Sequence, residues 1–274
     1  MRPQTTTSSF SPSRRASRLA GRLKFAYECL VLYVALPLFG LLCLSWSLIA
    51  TILYPLLPKT IGRRVGQFGI MAVFRWFVFV LKTSGIVHCD LSALDELRDE
   101  RSLIIAPNHP CLLDVVLLTS RLPNVVCIMR ADIWNNIFLG GGARLAGYIR
   151  NDSPTRMVRA AAAAVRSGDQ LLIFPEGTRT QQAPINRFKG GFALIAKAAG
   201  VPVQTVFLET NSSFLSKGWP LFKKPSFPLI YRARLGERWE AGDEVKPFVA
   251  KLENYYKKTL GPSGACKWSE HQNQ

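Results

Sequence analysis

The sequence predicts an α/β fold in which a single mixed, mostly parallel sheet is covered by helices and is preceded by an N-terminal membrane-associated helical hairpin. From residue 83 onward, short apolar runs typical of strands alternate with segments typical of helices. These strand-like runs are continuously apolar rather than alternating, which indicates a sheet that is covered on both faces. Before residue 83, an uncharged run of 29 residues (29–57) is followed by a second apolar segment.

Residues 1–24 are rich in Ser, Thr and Arg and contain almost no aliphatic residues, so we predict a disordered basic arm. A secretory signal peptide is the alternative, because a charged start precedes an apolar run. However, the run 29–57 is longer than the apolar core of a signal peptide, and no cleavage site of small residues follows it.

The run 29–57 is long enough to cross a bilayer, which takes about 20 residues. Basic residues stand on both sides of it, with Lys59, Arg63 and Arg64 directly after it, and such residues prefer the cytoplasmic side. The next apolar segment, 65–81, carries a polar stripe that contains Gln67 and Arg75. We therefore predict that residues 25–82 form a hairpin that enters the cytoplasmic leaflet and returns, or two tilted spans. A single span with the remainder of the chain on the outer face is the alternative.

The formal net charge of +17 indicates a polyanionic partner. Residues 1–82 hold eleven Lys and Arg against one acid, so they contribute +10 of that charge next to the most apolar stretches. No zinc-ligand spacing or RNA-recognition motif is present, so we predict membrane lipids as the partner and no nucleic acid. The six cysteines show no CxxC spacing and are expected to be reduced.

Residues 83–260 are predicted to form one α/β domain, and residues 261–274 a polar tail. The predicted strands are 86–89, 103–106, 125–129, 146–149, 171–174, 203–208 and 229–235. The predicted helices are 112–119, 155–166, 191–199 and 245–258.

The first chemical motif follows the strand 103–106 and contains Asn108, His109 and Asp114. Pro110 suits the first position of a helix and disfavours helix before it, so His109 should lie in the entering turn and Asp114 about one turn inside the helix. Helical side chains lean toward the N-terminus, which directs the carboxylate at the imidazole. A carboxylate on one ring nitrogen leaves the other free to accept a proton, as in a general base.

The second motif, from Phe174 to Arg179, reads Phe-Pro-Glu-Gly-Thr-Arg and also follows a predicted strand. In an α/β sheet the ends of such strands meet at one edge, where ligands bind. The sequence therefore predicts that the two motifs form one site.

Together the two motifs resemble the glycerolipid acyltransferase family, typified by 1-acylglycerol-3-phosphate O-acyltransferase. Asn108-His109 with Asp114 matches its HxxxxD block, residues 174–179 match its FPEGTR block in full, and the resemblance covers residues 83–215. It implies an O-acyltransferase without cofactor or metal that moves an acyl group from acyl-CoA or acyl carrier protein to a lysophospholipid. It also implies the bacterial inner membrane, with the catalytic domain on the cytoplasmic face; the oligomeric state stays open.

The resemblance implies His109 and Asp114 as catalytic residues, with direct transfer and no acyl-enzyme. It implies that Arg179 binds the phosphate of the acceptor and that Glu176 holds the acceptor or the arginine. The full set of implied substrate-binding residues is Asn108, Arg150, Glu176, Gly177, Thr178, Arg179 and Lys189. Structural alternatives are a histidine or aspartate that only caps the helix, a polar turn at the second motif, and a solvated Lys189.

Three features depart from the family pattern. Cys111 stands where the family commonly carries Ser, which raises a covalent acyl-thiol as an alternative. Arg150 comes one place early in the second block of the family, and Thr205 replaces a proline in its fourth block. The sequence of residues 108–114 and 147–152 resembles that of a bacterial subset of the family, whose members belong to aryl-polyene-type lipid pathways. An acceptor other than lysophosphatidate is therefore an alternative.

Two other functional classes fit the sequence less well. A non-catalytic lipid-binding membrane protein would not need His109, Asp114, Glu176 and Arg179 together. A thioesterase or lipase would need a nucleophile elbow such as GxSxG, and the sequence has none.

Overall fold

The computed structural model describes residues 14–242 and 244–262. It contains eight α-helices and one 3-10 helix in these residues. The α-helices are α1 (Arg14–Leu56), α2 (Lys59–Thr83), α3 (Asp114–Thr119), α4 (Ala131–Trp134), α5 (Gly140–Leu145), α6 (Pro154–Arg166), α7 (Gly191–Ala199) and α8 (Val245–Leu260), and the 3-10 helix is Ser92–Leu97.

The strands form one seven-stranded sheet in the order β1-β7-β6-β2-β5-β3-β4. Strands β2 to β6 are mutually parallel, and β7 runs antiparallel to β6 and carries β1 parallel to itself at the edge. Their bounds are β1 (Val87–Asp90), β2 (Leu103–Pro107), β3 (Val125–Arg130), β4 (Ile149–Asn151), β5 (Gln170–Leu172), β6 (Val203–Thr210) and β7 (Leu229–Trp239). This is the predicted mixed, mostly parallel sheet.

The central strands are buried on both faces, since every residue of β2, β5 and β6 is buried. This explains why their sequences are continuously apolar rather than alternating. The helices that cover them bring buried side chains such as Phe192 of α7 and Leu252 and Tyr256 of α8. The sheet therefore holds its strand ends on a rigid frame.

Helices α1 and α2 form the predicted hairpin, and both are long and apolar enough to cross a membrane by length and composition. Near one end of the pair Glu28 forms an ion pair with Lys224, which lies between β6 and β7. Near the other end the Ser47 hydroxyl accepts the Gly141 amide of α5, and Arg63 forms an ion pair with Asp169. The hairpin thus lies along the α/β domain and touches it at both ends.

Three local predictions are corrected. Residues 14–24 are helical and begin α1, because Leu, Ala, Arg and Lys favour helix there; residues 1–13 of the predicted arm, like residues 263–274 of the predicted tail, lie outside the described residues. The predicted strand 146–149 begins only at Ile149, since α5 runs to Leu145 and Gly147 turns the chain with a φ of 72°. Helix α3 begins at Asp114 rather than near Leu112.

Candidate active site

The register of β2 and β5 places the two motifs beside each other. Ile105 of β2 pairs with Leu172 of β5, and the strands run parallel. His109 lies four residues beyond Ile105, and Glu176 lies four residues beyond Leu172. Because neighbouring strands are about 4.8 Å apart, equal offsets bring the two turns into contact. The contact is direct, as the Glu176 carboxylate accepts the His109 amide at 3.0 Å.

The second motif holds the backbone of His109 from both sides. Glu176 Oε1 accepts the amide of His109, and the Thr180 amide donates to the His109 carbonyl at 2.7 Å. Glu176 is buried, and it also accepts the Thr180 hydroxyl at 2.8 Å and the Asn186 amide at 2.8 Å. Burial raises the pKa of the Glu176 carboxyl, while these hydrogen bonds and nearby His109 oppose that rise.

The imidazole of His109 is oriented by two contacts. Its Nδ1 lies 2.9 Å from Asp114 Oδ2, and its ring stacks on Phe174 with centroids 3.8 Å apart and an interplanar angle of 18°. The side chain of His109 is 13% exposed, while Asp114 is inaccessible. With Nδ1–H donated to Asp114, Nε2 is the proton acceptor, and no protein group in the described residues bonds to it.

The carboxylate of Asp114 is fixed by the turn that precedes α3. Its Oδ2 accepts the Cys111 amide at 2.8 Å as well as His109, and its Oδ1 accepts the Cys111 thiol at 3.0 Å. Asp114 is the first residue of α3 and lies in the turn with Cys111, so its closeness to His109 comes from that turn rather than from the expected position one turn inside a helix.

The Asn108 side chain is directed at β6. It is inaccessible, its Nδ2 donates to the Leu208 carbonyl at 2.9 Å, and its Oδ1 accepts the Leu208 amide at 2.7 Å. Both polar groups of the side chain are therefore used on the backbone of β6. This corrects the predicted contact with substrate, and we infer a positioning role for Asn108. Glu176 also bonds to protein donors, as described above, and its predicted hold on the acceptor or on Arg179 stays a prediction.

Arg179 joins the second motif to the loop 211–228 that follows β6. Its Nη1 donates to the carbonyls of Leu215 and Ser216 at 2.9 and 3.0 Å. The Leu215 carbonyl also accepts the Leu112 amide of the first motif at 3.1 Å, and Leu215 adopts a φ of 58°. Leu215 thus contacts both motif turns, and sequence reasoning missed it because no motif marks a backbone carbonyl.

Gly177 and Lys189 lie against each other at the same turn. Gly177 has a φ of 65°, and a Cβ added to it would stand 2.8 Å from the Lys189 Cδ. The Lys189 amide donates to the Pro175 carbonyl at 2.7 Å, and its side chain is exposed. The positive φ therefore favours glycine at this position, and the lysine side chain packs closely over it. Thr178 is half-buried beside them.

The comparisons with known proteins agree with this geometry. The Acyltransferase family model matches residues 88–209. The human 1-acyl-sn-glycerol-3-phosphate acyltransferase beta is 28% identical over 192 residues, which are 66% of this chain and 66% of that protein. The putative 1-acyl-sn-glycerol-3-phosphate acyltransferase acl-2 of Caenorhabditis elegans is 28% identical over 55% of this chain and 56% of its own length.

A solved structure shares the fold. It is the crystal structure of the 1-acyl-sn-glycerophosphate acyltransferase PlsC from Thermotoga maritima, with a TM-score of 0.64, 17% identity, and coverage of 87% of this chain and 95% of that one. The chain is similar to glycerolipid acyltransferases over the part that the family model matches. It spans less than two thirds of the length of the human and nematode relatives.

Two residues at family blocks lie away from the His109 group. Arg150 is in β4, three strands from β2, and its Nε lies 3.5 Å from Asp152. At about 4.8 Å per strand, this places Arg150 at the far side of the same sheet edge. Thr205, the departure from proline, is inaccessible and donates to the Glu237 carbonyl at 2.7 Å, so it serves the pairing of β6 with β7.

Three backbone amides near His109 are not available to bind the oxyanion that forms when a carbonyl is attacked. The Cys111 amide donates to Asp114, the Leu112 amide to Leu215, and the Gly177 amide to Phe174. Each of these three donors is already bonded within the protein. An oxyanion would therefore need donors other than these amides.

Cys111 is a donor to Asp114 rather than a nucleophile. It is buried, and burial together with the charge of Asp114 raises the pKa of its thiol well above the usual 9.0. Because the thiolate is the reactive form, this environment suppresses nucleophilic attack.

We predict that N-ethylmaleimide at pH 8 leaves Cys111 unmodified in the folded protein, since the raised pKa keeps its thiol protonated below 9.0. The half-buried Cys29 and Cys89 serve as internal comparators, and unfolding in denaturant should open all three to labelling. Peptide mass spectrometry measures each site. Labelling of Cys111 in the folded protein at the rate seen in denaturant would contradict this assignment.

Proposed function

We propose that the protein is a membrane-seated O-acyltransferase that moves a fatty acyl group from an acyl thioester to the hydroxyl of a lysophosphatidate-like acceptor, with His109 as general base. The observation that carries the proposal is the His109–Asp114 pair, 2.9 Å apart, held by the backbone contacts of Glu176 and Thr180. The names of the human, nematode and Thermotoga relatives support the lysophosphatidate class of acceptor.

The proposed reaction is a direct transfer. His109 Nε2 takes the proton of the acceptor hydroxyl while the hydroxyl oxygen attacks the thioester carbonyl. The tetrahedral intermediate collapses, the carbon–sulfur bond breaks, and the imidazolium returns the proton to the leaving thiolate. Asp114 accepts Nδ1–H throughout and stabilises the transient imidazolium. Base catalysis of this kind supplies roughly 10²–10⁴ in rate, and positioning supplies much of the remainder.

The acceptor phosphate is assigned to Arg179 and Lys189. Arg179 uses Nη1 for the two carbonyls of the loop 211–228, which leaves its Nη2 and Nε for a phosphate. The ammonium of Lys189 lies over Gly177 at the same turn. Arg179 closes the turn whose Glu176 holds His109, and Lys189 packs against that turn. A phosphate bound by both cations would therefore fix the hydroxyl relative to the base.

The membrane seat is assigned to the hairpin of α1 and α2. Its outer face exposes large apolar side chains, namely Leu19, Leu23, Phe25, Leu30, Val34, Leu41, Leu48, Ile49, Ile52, Leu56, Phe68 and Phe79. Glu28 in the first half of α1 and Ser47 in its second half both contact the α/β domain. A spanning α1 would therefore draw polar parts of that domain into the bilayer. An in-plane hairpin in the cytoplasmic leaflet also satisfies the preference of both basic flanks for one side.

We predict that His109→Ala lowers kcat for acyl transfer by roughly 10²–10⁴, and Asp114→Asn by a comparable factor, because each removes the oriented base. Purified protein in detergent is supplied with labelled acyl-CoA or acyl carrier protein and a panel of lysolipids. His88→Ala, an exposed histidine of β1, is the matched control.

In the same assay Cys111→Ser should retain transfer. Unchanged kcat in His109→Ala would refute the general base. Hydrolysis of the donor without transfer to any acceptor would indicate a thioesterase. The absence of both transfer and hydrolysis would indicate a lipid-binding protein. An acceptor outside the lysophosphatidate class would support the alternative lipid pathway.

We predict that Arg179→Ala raises KM for a phosphate-bearing acceptor by roughly tenfold or more, because a charge-assisted contact to phosphate is lost. Arg179→Lys should recover part of this loss only, since an ammonium lacks the planar fork that serves both carbonyls and phosphate. Initial rates over a range of acceptor concentrations measure the effect. Arg187→Ala, an exposed arginine in the same segment, is the control, and an equal rise of KM in both would remove Arg179 from this role.

We predict that Lys59→Cys, at the first residue of α2, reacts with a membrane-impermeant maleimide from the same face of sealed vesicles as Lys251→Cys on α8. An in-plane hairpin keeps its tip on the side of the catalytic domain. Labelling above the level of the unsubstituted protein is measured in right-side-out and inverted vesicles. If Lys59→Cys labels only from the opposite face, the hairpin spans the bilayer and the in-plane seat is wrong.

A further inference from the structure

The loop 211–228 between β6 and β7 has the composition of a membrane-surface segment. It contains three lysines, four aromatic residues and no acid. Leu221 and Phe222 at its outer end are 48% and 69% exposed. Aromatic and basic residues in this combination are typical of the boundary between lipid headgroups and chains.

The loop is folded, so the exposure of its apolar end is built in. Phe214 packs edge-on against Trp219 with ring centroids 6.0 Å apart, and the Trp219 Nε1 donates to the Lys223 carbonyl at 3.0 Å. At its base, Asn211 donates to the Pro228 carbonyl and accepts the Ile230 amide. The interior of the loop is thus filled by Phe214 and Trp219, while Leu221 and Phe222 face outward.

The loop packs against the first part of α1. The Tyr33 hydroxyl donates to the Phe222 carbonyl at 3.1 Å, and Lys224 forms an ion pair with Glu28 at 2.6 Å. The Lys224 ammonium also lies over the rings of Phe25 and Phe227, 5.1 and 5.2 Å from their centroids. The exposed end of the loop is therefore continuous with the apolar face of the hairpin.

The same loop reaches the candidate active site through its first half. The carbonyls of Leu215 and Ser216 accept Arg179, and the Leu215 carbonyl accepts the Leu112 amide as well. Leu112 itself is 54% exposed beside the catalytic turn. The loop therefore links the membrane-facing helix to both motif turns.

We propose that the loop 211–228 is a second membrane contact, in which Leu221 and Phe222 enter the acyl region of an anionic phospholipid bilayer and Lys217 and Lys223 meet the headgroup phosphates. It rests on the membrane seat proposed for the hairpin. Because the loop is bonded to Arg179 and Leu112, this contact sets the depth of the active-site rim at the level where a lysolipid presents its phosphate and hydroxyl.

A bilayer fits this surface better than a protein partner does. The surface continues an apolar helix face that is itself assigned to lipid, so lipid already borders the loop. The lysines complement anionic headgroups, and the net charge of +17 favours such a surface generally.

The direct test places the photoreactive residue p-benzoylphenylalanine at position 222 in the full chain. The protein is reconstituted in phosphatidylcholine vesicles with and without phosphatidylglycerol and is irradiated. Position 194 is the matched control, because Leu194 is 47% exposed on α7, away from the hairpin. We expect lipid adducts at 222 and none at 194 by mass spectrometry. Absence of adducts at 222, or equal adducts at both positions, would overturn the proposal.

The functional test uses a double variant that carries both Leu221→Asp and Phe222→Asp. Its control is the single variant Leu194→Asp. We expect roughly tenfold or greater loss of transfer to an acceptor embedded in vesicles and little loss with a short-chain acceptor that is monomeric in solution, since only the former needs the bilayer contact. The thermal midpoint in detergent should match that of Leu194→Asp. Unchanged transfer in vesicles, or equal losses with both acceptors, would overturn the role in setting depth.

The outcomes separate this proposal from the enzymatic one. If the unsubstituted protein transfers no acyl group to any acceptor, the proposed function fails, yet adducts at position 222 still report lipid contact. If transfer is present and position 222 gives no lipid adduct, the loop proposal alone fails.

Discussion

The hydrogen bonds between the Glu176 carboxylate and the backbone around it are the constraint on which the site depends. Glu176 follows β5, and its carboxylate is buried. The carboxylate accepts hydrogen bonds from three donors, one of which is the amide of His109 in the turn after β2. A buried carboxylate is stable only when such donors surround it. Because the buried carboxylate needs the His109 amide as a donor, the turn that carries His109 stays at a fixed distance from the second motif. The register of two adjacent strands supplies the coarse placement, and this carboxylate supplies the fine one.

Much of this was predictable from the sequence because it is local. Continuous apolar runs identify the central strands, and the polar turns after residues 106 and 174 identify one functional edge. The non-local contacts were not predictable in the same way. No pattern shows that Glu176 binds a backbone amide instead of a substrate, or that Arg179 donates to carbonyls 36 and 37 residues away. The start of α3 was also misplaced, since the Asp114 side chain bonds to the Cys111 amide and shapes the preceding turn in a way that helix propensity does not describe.

The charge pattern of the N-terminal segment has a consistent geometric explanation. Basic residues stand before and after the apolar run, which conflicts with a single crossing under the charge rule. In the structure, Arg63 just after the run pairs with Asp169 at the start of β5, and Glu28 near its beginning pairs with Lys224 of the loop 211–228. One charge in the first half of α1 and one near the start of α2 are thus bonded to the same α/β domain. The in-plane seat proposed for the hairpin would remove the conflict and keep these groups out of the hydrocarbon region.

The buried polar side chains divide the work of the site. Asn108 holds β6, Glu176 holds the turn of His109, and the Tyr256 hydroxyl of α8 bonds to the Ala106 carbonyl and receives the Val206 amide. These side chains bond to the backbone of neighbouring segments, so they fix the position of the end of β2. The groups that are left partly accessible at the rim are His109, Arg179 and Lys189. A base can act on a weakly acidic hydroxyl only if its position survives the binding and release of a flexible lipid, and a turn fixed through its main chain meets that condition better than one fixed through side-chain packing alone.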